Sequence, residues 1–325
     1  MAATSADKTT PGWFVMGVDL GSTTAKAAVV DQDGALRGSS VVQMGAVSRE
    51  AVARAMDGAM AAAGVAQSDI RRTISTGYGR KLVPGANRTF TEITCHARGA
   101  AALHPGVRLV IDIGGQDSKA IIVDDDGLVE RFAMNDRCAS GTGRFFDVLA
   151  RALEVDIGAV GELALAGSES LEVSSMCATF AETEVISLLA QGREKADIAA
   201  SVHKAVAART LGLVAQVGKA TPTVMTGGVA KNPAARLHVS RALGHPVELL
   251  DQPQIAGAYG AGLLARDDYA GTAAAPTSSD AATEEQFRAS LSSGTPHCQD
   301  CDGRPGHSHP GTGEPVPLEL QRNIR

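Results

Sequence analysis

Val18-Asp19-Leu20-Gly21-Ser22-Thr23-Thr24-Ala25-Lys26 recurs as Ile111-Asp112-Ile113-Gly114-Gly115-Gln116-Asp117-Ser118-Lys119, without a gap and 93 positions further on. The match runs past these segments: Val30, Asp31, Asp33 and Gly34 return as Val123, Asp124, Asp126 and Gly127. Each copy reads as strand, tight glycine turn, strand, Asp/Gly turn, strand. In each, an Asp closes the first strand and a Lys follows seven residues later. Such a duplication predicts two similar α/β subdomains facing each other across one shared cleft.

The turn residues say what the cleft is built to hold. Glycine lets backbone approach a phosphate closely, and consecutive N–H groups there form an anion-binding nest. Gly21, Ser22 and Thr23 in the first turn, and Gly114, Gly115 and Asp117 in the second, are therefore candidate phosphate-binding residues. Asp19 and Asp112 stand where carboxylates hold Mg²⁺ through water or orient an attacking water. Gln116, beside the second glycine pair, is placed to position that water or sense a γ-phosphate. Lys26 and Lys119 are candidates for neutralising phosphate charge; the alternative is a pair of solvated strand lysines. A later segment, Val224-Met225-Thr226-Gly227-Gly228-Val229-Ala230-Lys231-Asn232, reads as strand, Gly-Gly turn and helix. Alone it is an ordinary strand–helix turn. Beside the duplicated turns, Gly227, Gly228 and Asn232 suit the close approach of an adenosine, so ATP or ADP with Mg²⁺ is the expected ligand.

Composition narrows the class. The 325 residues are 44% hydrophobic and 20% charged, with a mean hydropathy of +0.01, as in a water-soluble globular protein. Net charge is −6 with no basic run, and aromatics are only 3%; neither favours a nucleic-acid surface. No uninterrupted apolar stretch of about 18 residues is present, so no membrane span is expected. Residues 1–12 read as a loose leader without an apolar core, not as a signal peptide, and the expected location is cytoplasmic.

The first copy predicts strands over Phe14–Leu20, Ala25–Val30 and Ala35–Val42, then a helix over 48–63 ending at Gly64. A strand at Arg72–Ser75 leads into the loop Thr76-Gly77-Tyr78-Gly79-Arg80, and a helix over 91–103 joins the second copy. That copy predicts strands near 107–113, 118–123 and 127–134. Helices are expected from just after Cys138 to about Leu153, from near Cys177 to about Gly192, and over 197–218. A strand at Val224–Thr226, a helix after Asn232-Pro233 and a last helix over Ile255–Ala265 complete the pattern. The domains expected are a first ATPase subdomain over 13–105, a second over 106–268, and a low-complexity, disordered tail over 269–325.

Five cysteines remain: Cys95, Cys138, Cys177, Cys298 and Cys301. Without an export signal they read as thiols or metal ligands rather than a disulfide framework. Cys138 and Cys177 are each expected to open a helix, whose N-terminus would lower the thiol pKa and stabilise an anionic group. The bland alternative is a pair of small buried fillers. Cys95-His96 reads as structural. In the tail, Cys298, Cys301, His307 and His309 form C-x2-C-x5-H-x-H, a spacing that could hold Zn²⁺.

The duplicated segment resembles the actin/Hsp70/sugar-kinase group of ATPases, with its ribonuclease H-like subdomains. Several motifs narrow this further: Gly17-Val18-Asp19-Leu20-Gly21-Ser22-Thr23, Thr76-Gly77-Tyr78-Gly79-Arg80, Glu92-Ile93-Thr94-Cys95-His96-Ala97, Asp112-Ile113-Gly114-Gly115-Gln116-Asp117, the two cysteine segments, and Thr226-Gly227-Gly228-Val229-Ala230. Over about residues 15–266 they resemble the activator ATPases of 2-hydroxyacyl-CoA dehydratases and the ATPase subunits of benzoyl-CoA reductases. That resemblance implies a [4Fe–4S] cluster held by Cys138 and Cys177 of two subunits across a homodimer, or across a pair with a homologous ATPase subunit. Two cysteines per chain and a two-fold axis supply the four thiolates such a cluster takes. It further implies ATP-driven transfer of a low-potential electron to an iron–sulfur enzyme acting on a CoA thioester, with a ferredoxin or flavodoxin as donor. Glu182 and Glu184, after Cys177, could help place water or sense the γ-phosphate, or be plain solvated glutamates. Two other readings stay open: a small-molecule kinase of the same superfamily, for whose substrate-binding insertion the sequence leaves little room, and a non-catalytic assembly protein of actin type.

Overall fold

The computed structural model describes residues 12–45, 47–136, 141–173 and 178–271. Two five-stranded sheets form its frame. The first contains β1 (Phe14–Leu20), β2 (Thr24–Asp31), β3 (Leu36–Gln43), β4 (Ile70–Thr76) and β5 (Arg88–Thr89), in the order β3-β2-β1-β4-β5. The second contains β6 (Leu109–Ile113), β7 (Ser118–Val123), β8 (Val129–Asn135), β9 (Thr223–Thr226) and β10 (Glu248–Leu249), in the order β10-β9-β6-β7-β8. Taken from its other edge, the second order repeats the first. In each sheet an antiparallel three-strand meander is extended by parallel strands.

The repetition reaches single hydrogen bonds. Asp19 pairs with Lys26 across β1 and β2, and Asp112 with Lys119 across β6 and β7. A register shift falls between Val29 and Val30 in one meander and between Ile122 and Val123 in the other. After it, Asp31 Oδ1 accepts the amides of Asp33 and Ala35 at 3.0 and 2.9 Å. Asp124 Oδ1 accepts those of Asp126 and Leu128 at 3.0 and 2.8 Å. These Asx turns set the hairpins and explain why the Asp/Gly pattern recurs in the sequence.

The helices are α1 (Arg49–Ala63), α2 (Glu92–Leu103), α3 (Gly143–Leu153), α4 (Val160–Leu165), α5 (Ala178–Ala190), α6 (Lys195–Val217), α7 (Pro233–Leu243) and α8 (Ala256–Tyr269). Local chemistry sets several of their ends. Ser48 accepts the Ala51 amide at the start of α1, and Gly64, at φ 68°, ends it in the left-handed conformation. Thr91 caps α2 by accepting from Thr94, and Asn232 caps α7 by accepting from Ala235, with Pro233 in the first turn.

The last helix of each half covers the sheet of the other. Ala258, Tyr259 and Leu263 of α8 share a core with Val15, Ala28, Val30 and Ile74 of the first sheet. Ile93, Ala97 and Ala100 of α2 share one with Val110, Ile121, Val123 and Val224 of the second. Between the sheets the two helices cross so closely that a Cβ on Gly99 would overlap the Ala256 carbonyl, and one on Gly260 the Cys95 carbonyl. A further core joins Phe145, Phe146 and Leu149 of α3 to Ile198 and Val202 of α6. Fully buried residues of this size, such as Phe146 and Ile113, each contribute roughly 1.5–3 kcal/mol.

Two features depart from the sequence expectation, and a third, a segment in which two helices were expected, sets the halves apart. First, α3 does not open at Cys138 but at Gly143, because Gly141 has φ +86° and stands outside the helical region; Cys138 itself lies outside the described residues. Second, α4 and the two-residue strands β5 and β10 were not anticipated, being too short to carry a periodic signal. Third, the segment 136–194 between β8 and α6 is an insertion that the first half lacks, since there α1 begins only a few residues after β3. The 23-residue α6 is, by length and composition, long and apolar enough to cross a membrane. In this fold it is a core helix, with Ile198, Val202, Val206 and Val214 buried in the second half.

Candidate nucleotide site

Where β1 and β6 end, the two glycine turns meet. Gly21 N–H donates to Thr24 O at 3.1 Å, and Gly114 N–H to Asp117 O at 2.9 Å, so each turn is closed by the same bond. A Cβ on Gly115 would overlap Thr23 Oγ1 and lie 3.3 Å from Ser22 Oγ. Bare backbone of the second turn therefore faces the hydroxyls of the first, an arrangement of N–H and O–H donors suited to a polyphosphate. Gln116 is exposed at the tip of the second turn.

The carboxylates sit at the base of this cleft. Asp19 is 3% exposed and accepts from Lys26 Nζ at 2.9 Å. Asp112 is 2% exposed and is held from three sides: Thr226 Oγ1 donates to Oδ1 at 2.8 Å, His96 Nδ1 lies 3.4 Å from Oδ1, and Lys119 Nζ lies 3.2 Å from Oδ2. Burial alone would push the Asp112 carboxyl up, but the His96 ring, the Lys119 ammonium and the Thr226 hydroxyl together hold it well below the usual carboxylate range.

The two lysines, equivalent in sequence, are not equivalent in space. Lys26 keeps some exposure and lies over the first turn, 3.2 Å from the position of a Cβ on Gly21. Lys119 is 3% exposed and pairs with Asp112, with Asp117 at 2.8 Å and with Glu92 at 3.4 Å. Burial lowers its affinity for a proton, but Glu92, Asp117 and Asp112 more than reverse this and raise its pKa well above the ordinary value. One cation among three carboxylates leaves excess negative charge. Glu92 is the group that responds: burial raises its pKa, the Lys119 attraction only partly offsets this, and the neighbouring Asp117 and Asp19 carboxylates add to the rise. Lys26 thus stays partly accessible beside the first turn, whereas Lys119 is sealed against the second.

The Gly-Gly turn also has a counterpart. β4 runs into Thr76-Gly77 and β9 into Thr226-Gly227, and both glycines have positive φ, +89° and +85°. A Cβ on Gly77 would overlap Asp19 Oδ1; one on Gly227 would overlap the Ile113 carbonyl and stand 3.0 Å from Asp112 Oδ1. Each turn presses on the aspartate of its own sheet. Gly228 is exposed beside Gln254. Asn232 is committed to structure, with Oδ1 capping α7 and Nδ2 bonded to His203 Nε2 at 2.9 Å.

Sequence reasoning passed over Glu92 and Thr226 as site residues and read His96 as structural. The structure puts His96 and Thr226 on Asp112 and Glu92 beside it on Lys119, and the quoted motifs contain all three. Cys95, by contrast, is fully buried in the α8 core. Glu182 and Glu184 are half-buried on α5. Cys138, Cys177, Cys298, Cys301, His307 and His309 lie outside the described residues.

A duplicated sheet pair around one cleft of facing glycine turns and buried aspartates defines an ATPase of the actin-like class. Residues 16–265 match the BadF/BadG/BcrA/BcrD ATPase family, and the chain belongs to that family. It is 42% identical over 252 residues to an activator of lactoyl-CoA dehydratase from Anaerotignum propionicum, spanning 78% of this chain and 97% of that one. The activator of 2-hydroxyisocaproyl-CoA dehydratase from Clostridium difficile, solved with bound ADPNP, superposes with a TM-score of 0.76 at 37% identity, over 80% of this chain and 96% of that one. A benzoyl-CoA reductase subunit from Thauera aromatica is 37% identical over 177 residues, 54% of this chain and 62% of that one. The expected actin-like fold is the observed one.

Proposed function

We propose that this chain is the ATP-hydrolysing activator of a 2-hydroxyacyl-CoA dehydratase, working as a homodimer that shares one [4Fe–4S] cluster through Cys138 and Cys177 of each subunit. The observation that carries it is the insertion 136–194. It is present in only one of two otherwise matching halves, and both cysteines stand in it. Its helices are tied to the nucleotide cleft: Gly143 and Arg144, at the start of α3, donate their amides to the carbonyls of Gly114 and Gly115, each at 2.8 Å. α5 begins at the residue after Cys177 and packs on α3. A change in the second turn therefore reaches α3 and α5, the helices that follow Cys138 and Cys177 in the chain, through hydrogen bonds and a shared core.

The donor set suits such a cluster, since two thiolates per chain become four in a two-fold dimer. When bound, it would supply a one-electron reductant. The chain's own part is to bind Mg²⁺-ATP between the turns, to orient water with Asp19, Asp112 and Gln116, and to convert the change in the turn into movement of α3 and α5. Near-complete coverage of the dehydratase activators, against 62% of the benzoyl-CoA reductase chain, favours a dehydratase partner. A ferredoxin or flavodoxin is the fitting donor.

Anaerobic purification with iron, sulfide and EPR analysis tests this, beside Cys138→Ala and Cys177→Ala. The expected result is about four irons per dimer, lost in either variant, and ATP-dependent activation of a 2-hydroxyacyl-CoA dehydratase. Iron-free protein under strict anaerobiosis that phosphorylates a metabolite would replace this reading with the kinase one.

A further inference from the structure

We infer that His96 is the residue that sets the spacing of the two cleft aspartates, and so acts as a positioning residue for ATP hydrolysis. The inference rests on the cleft being the nucleotide site. It starts from the exchange of helices. α2 follows the first sheet in the chain but packs on the second, so its polar residues are delivered to the other half's aspartate. Glu92 and His96 stand one turn apart on this helix. Glu92 reaches Asp112 through Lys119, and His96 reaches it directly.

The other edge of the imidazole faces the first half. A Cβ built on Gly257 of α8 would lie 2.8 Å from His96 Nε2 and 3.0 Å from Asp19 Oδ2. The two atoms thus share the space that any side chain at 257 would fill. On the Nδ1 side, Thr226 Oγ1 and Asp112 Oδ1 are both 3.4 Å away. One ring, 6% exposed, therefore stands between the carboxylate of the first sheet and that of the second. Both aspartates must keep their separation while ligand is gripped between the halves. A rigid planar spacer, hydrogen-bonded at one edge and bordering at the other the space beside Gly257 that Asp19 Oδ2 also borders, does this; a flexible or smaller side chain does not. Small displacements of positioned groups cost on the order of 100-fold in rate.

The contact set separates this role from simple core packing. The neighbours of His96 include the polar atoms of Asp112 and Thr226 and the space beside the Asp19 carboxylate.

Three variants of the full chain, purified anaerobically, test it: His96→Ala, His96→Asn and Gly257→Ala. Steady-state ATP hydrolysis is measured beside affinity for a non-hydrolysable ATP analogue. His96→Ala should lose on the order of 100-fold in kcat, with analogue affinity unchanged within about threefold. His96→Asn keeps a donor at the Nδ1 position and should recover about tenfold of that loss. Gly257→Ala retains the ring but puts a methyl into the space it shares with the Asp19 carboxylate, and its kcat should also fall. Wild-type turnover in His96→Ala overturns the proposal. So does a parallel loss of affinity, kcat and melting temperature in all three, which marks a packing role. If His96→Ala does not fold, His96→Asn decides: analogue binding intact with kcat lowered supports the proposal, and unchanged kcat overturns it. A wild-type chain that binds no nucleotide fails the cleft reading instead, a different result.

Discussion

The amide of Gly143 donates to the carbonyl of Gly114 at 2.8 Å, joining the first turn of α3 to the second glycine turn of the cleft. A Cβ on Gly143 would stand 3.0 Å from that carbonyl oxygen and 3.3 Å from Gly115 Cα. Gly143→Ala must therefore push the turn by a few tenths of an ångström. Alanine favours helix over glycine by about 1 kcal/mol, so α3 itself is not weakened. Nucleotide affinity should fall about tenfold, or about 1.4 kcal/mol, with the melting temperature nearly unchanged. Titration with an ATP analogue checks this; unaltered affinity would show that the turn and α3 are not mechanically joined.

The two repeat lysines should answer differently to removal. Lys119→Ala leaves Asp112, Asp117 and Glu92 without their shared cation in a buried site, a loss of about 3–5 kcal/mol in folding stability. Lys26→Ala leaves one buried carboxylate, Asp19, without its cation rather than three, and should cost less than Lys119→Ala, while turnover drops. Urea denaturation beside an ATPase assay separates them. Equal destabilisation would mean that burial does not distinguish the copies.

His203 predicts a pH dependence of stability. Burial holds its pKa at about 4 against an ordinary 6.5, with Nδ1 bonded to Ala199 O at 2.7 Å and Nε2 to Asn232. The unfolded chain then binds a proton that the folded chain refuses, so stability is lost as pH falls from 6.5 towards 4. The loss reaches about 3 kcal/mol. Burial lowers the pKa of His238 as well, partly opposed by Glu169, so it adds in the same direction. Glu92, whose pKa is raised, works the other way, because the folded protein takes up that proton first. Comparing the wild type with His203→Gln between pH 7 and 5 isolates the His203 part: the variant should show a flatter profile.

The crossing of α2 and α8 leaves no room for a side chain at Gly99 or Gly260. Gly260→Ala should cost about 1–3 kcal/mol by overpacking, lowering the melting temperature by several degrees for a chain of this size. Gly244→Ala probes the opposite case. No neighbour lies within 4 Å there, but φ is +83°, so its cost is backbone strain alone and turnover should stay intact. A neutral Gly260→Ala would mean that the two helices part easily.

Much of this architecture was readable in the residues. The Asp-Gly turn, the Lys seven positions later and the Asp/Gly hairpin turn recur at a fixed offset, because each is demanded by local geometry: bare backbone at a phosphate, a cross-strand pair, an Asx turn. The match of Thr76-Gly77 with Thr226-Gly227 was harder to see. Different lengths of chain separate these turns from their aspartates, and only strand order makes them equivalent. His96 was read as structural because an isolated Cys-His pair carries no period or spacing that reports what lies opposite it.

The sequence by itself determined the duplicated strands, their turns, the candidate aspartates and the family, since these follow from short-range patterns that backbone sterics and phosphate chemistry impose. Tertiary structure decided which copies kept the same task. Lys26 and Lys119 occupy identical registers, yet only the second is sealed among three carboxylates, because α2 crosses over to bring Glu92 and His96 to that sheet. Burial and charge at a residue depend on what packs against it, and a helix exchanged between halves places those neighbours where no local pattern records them.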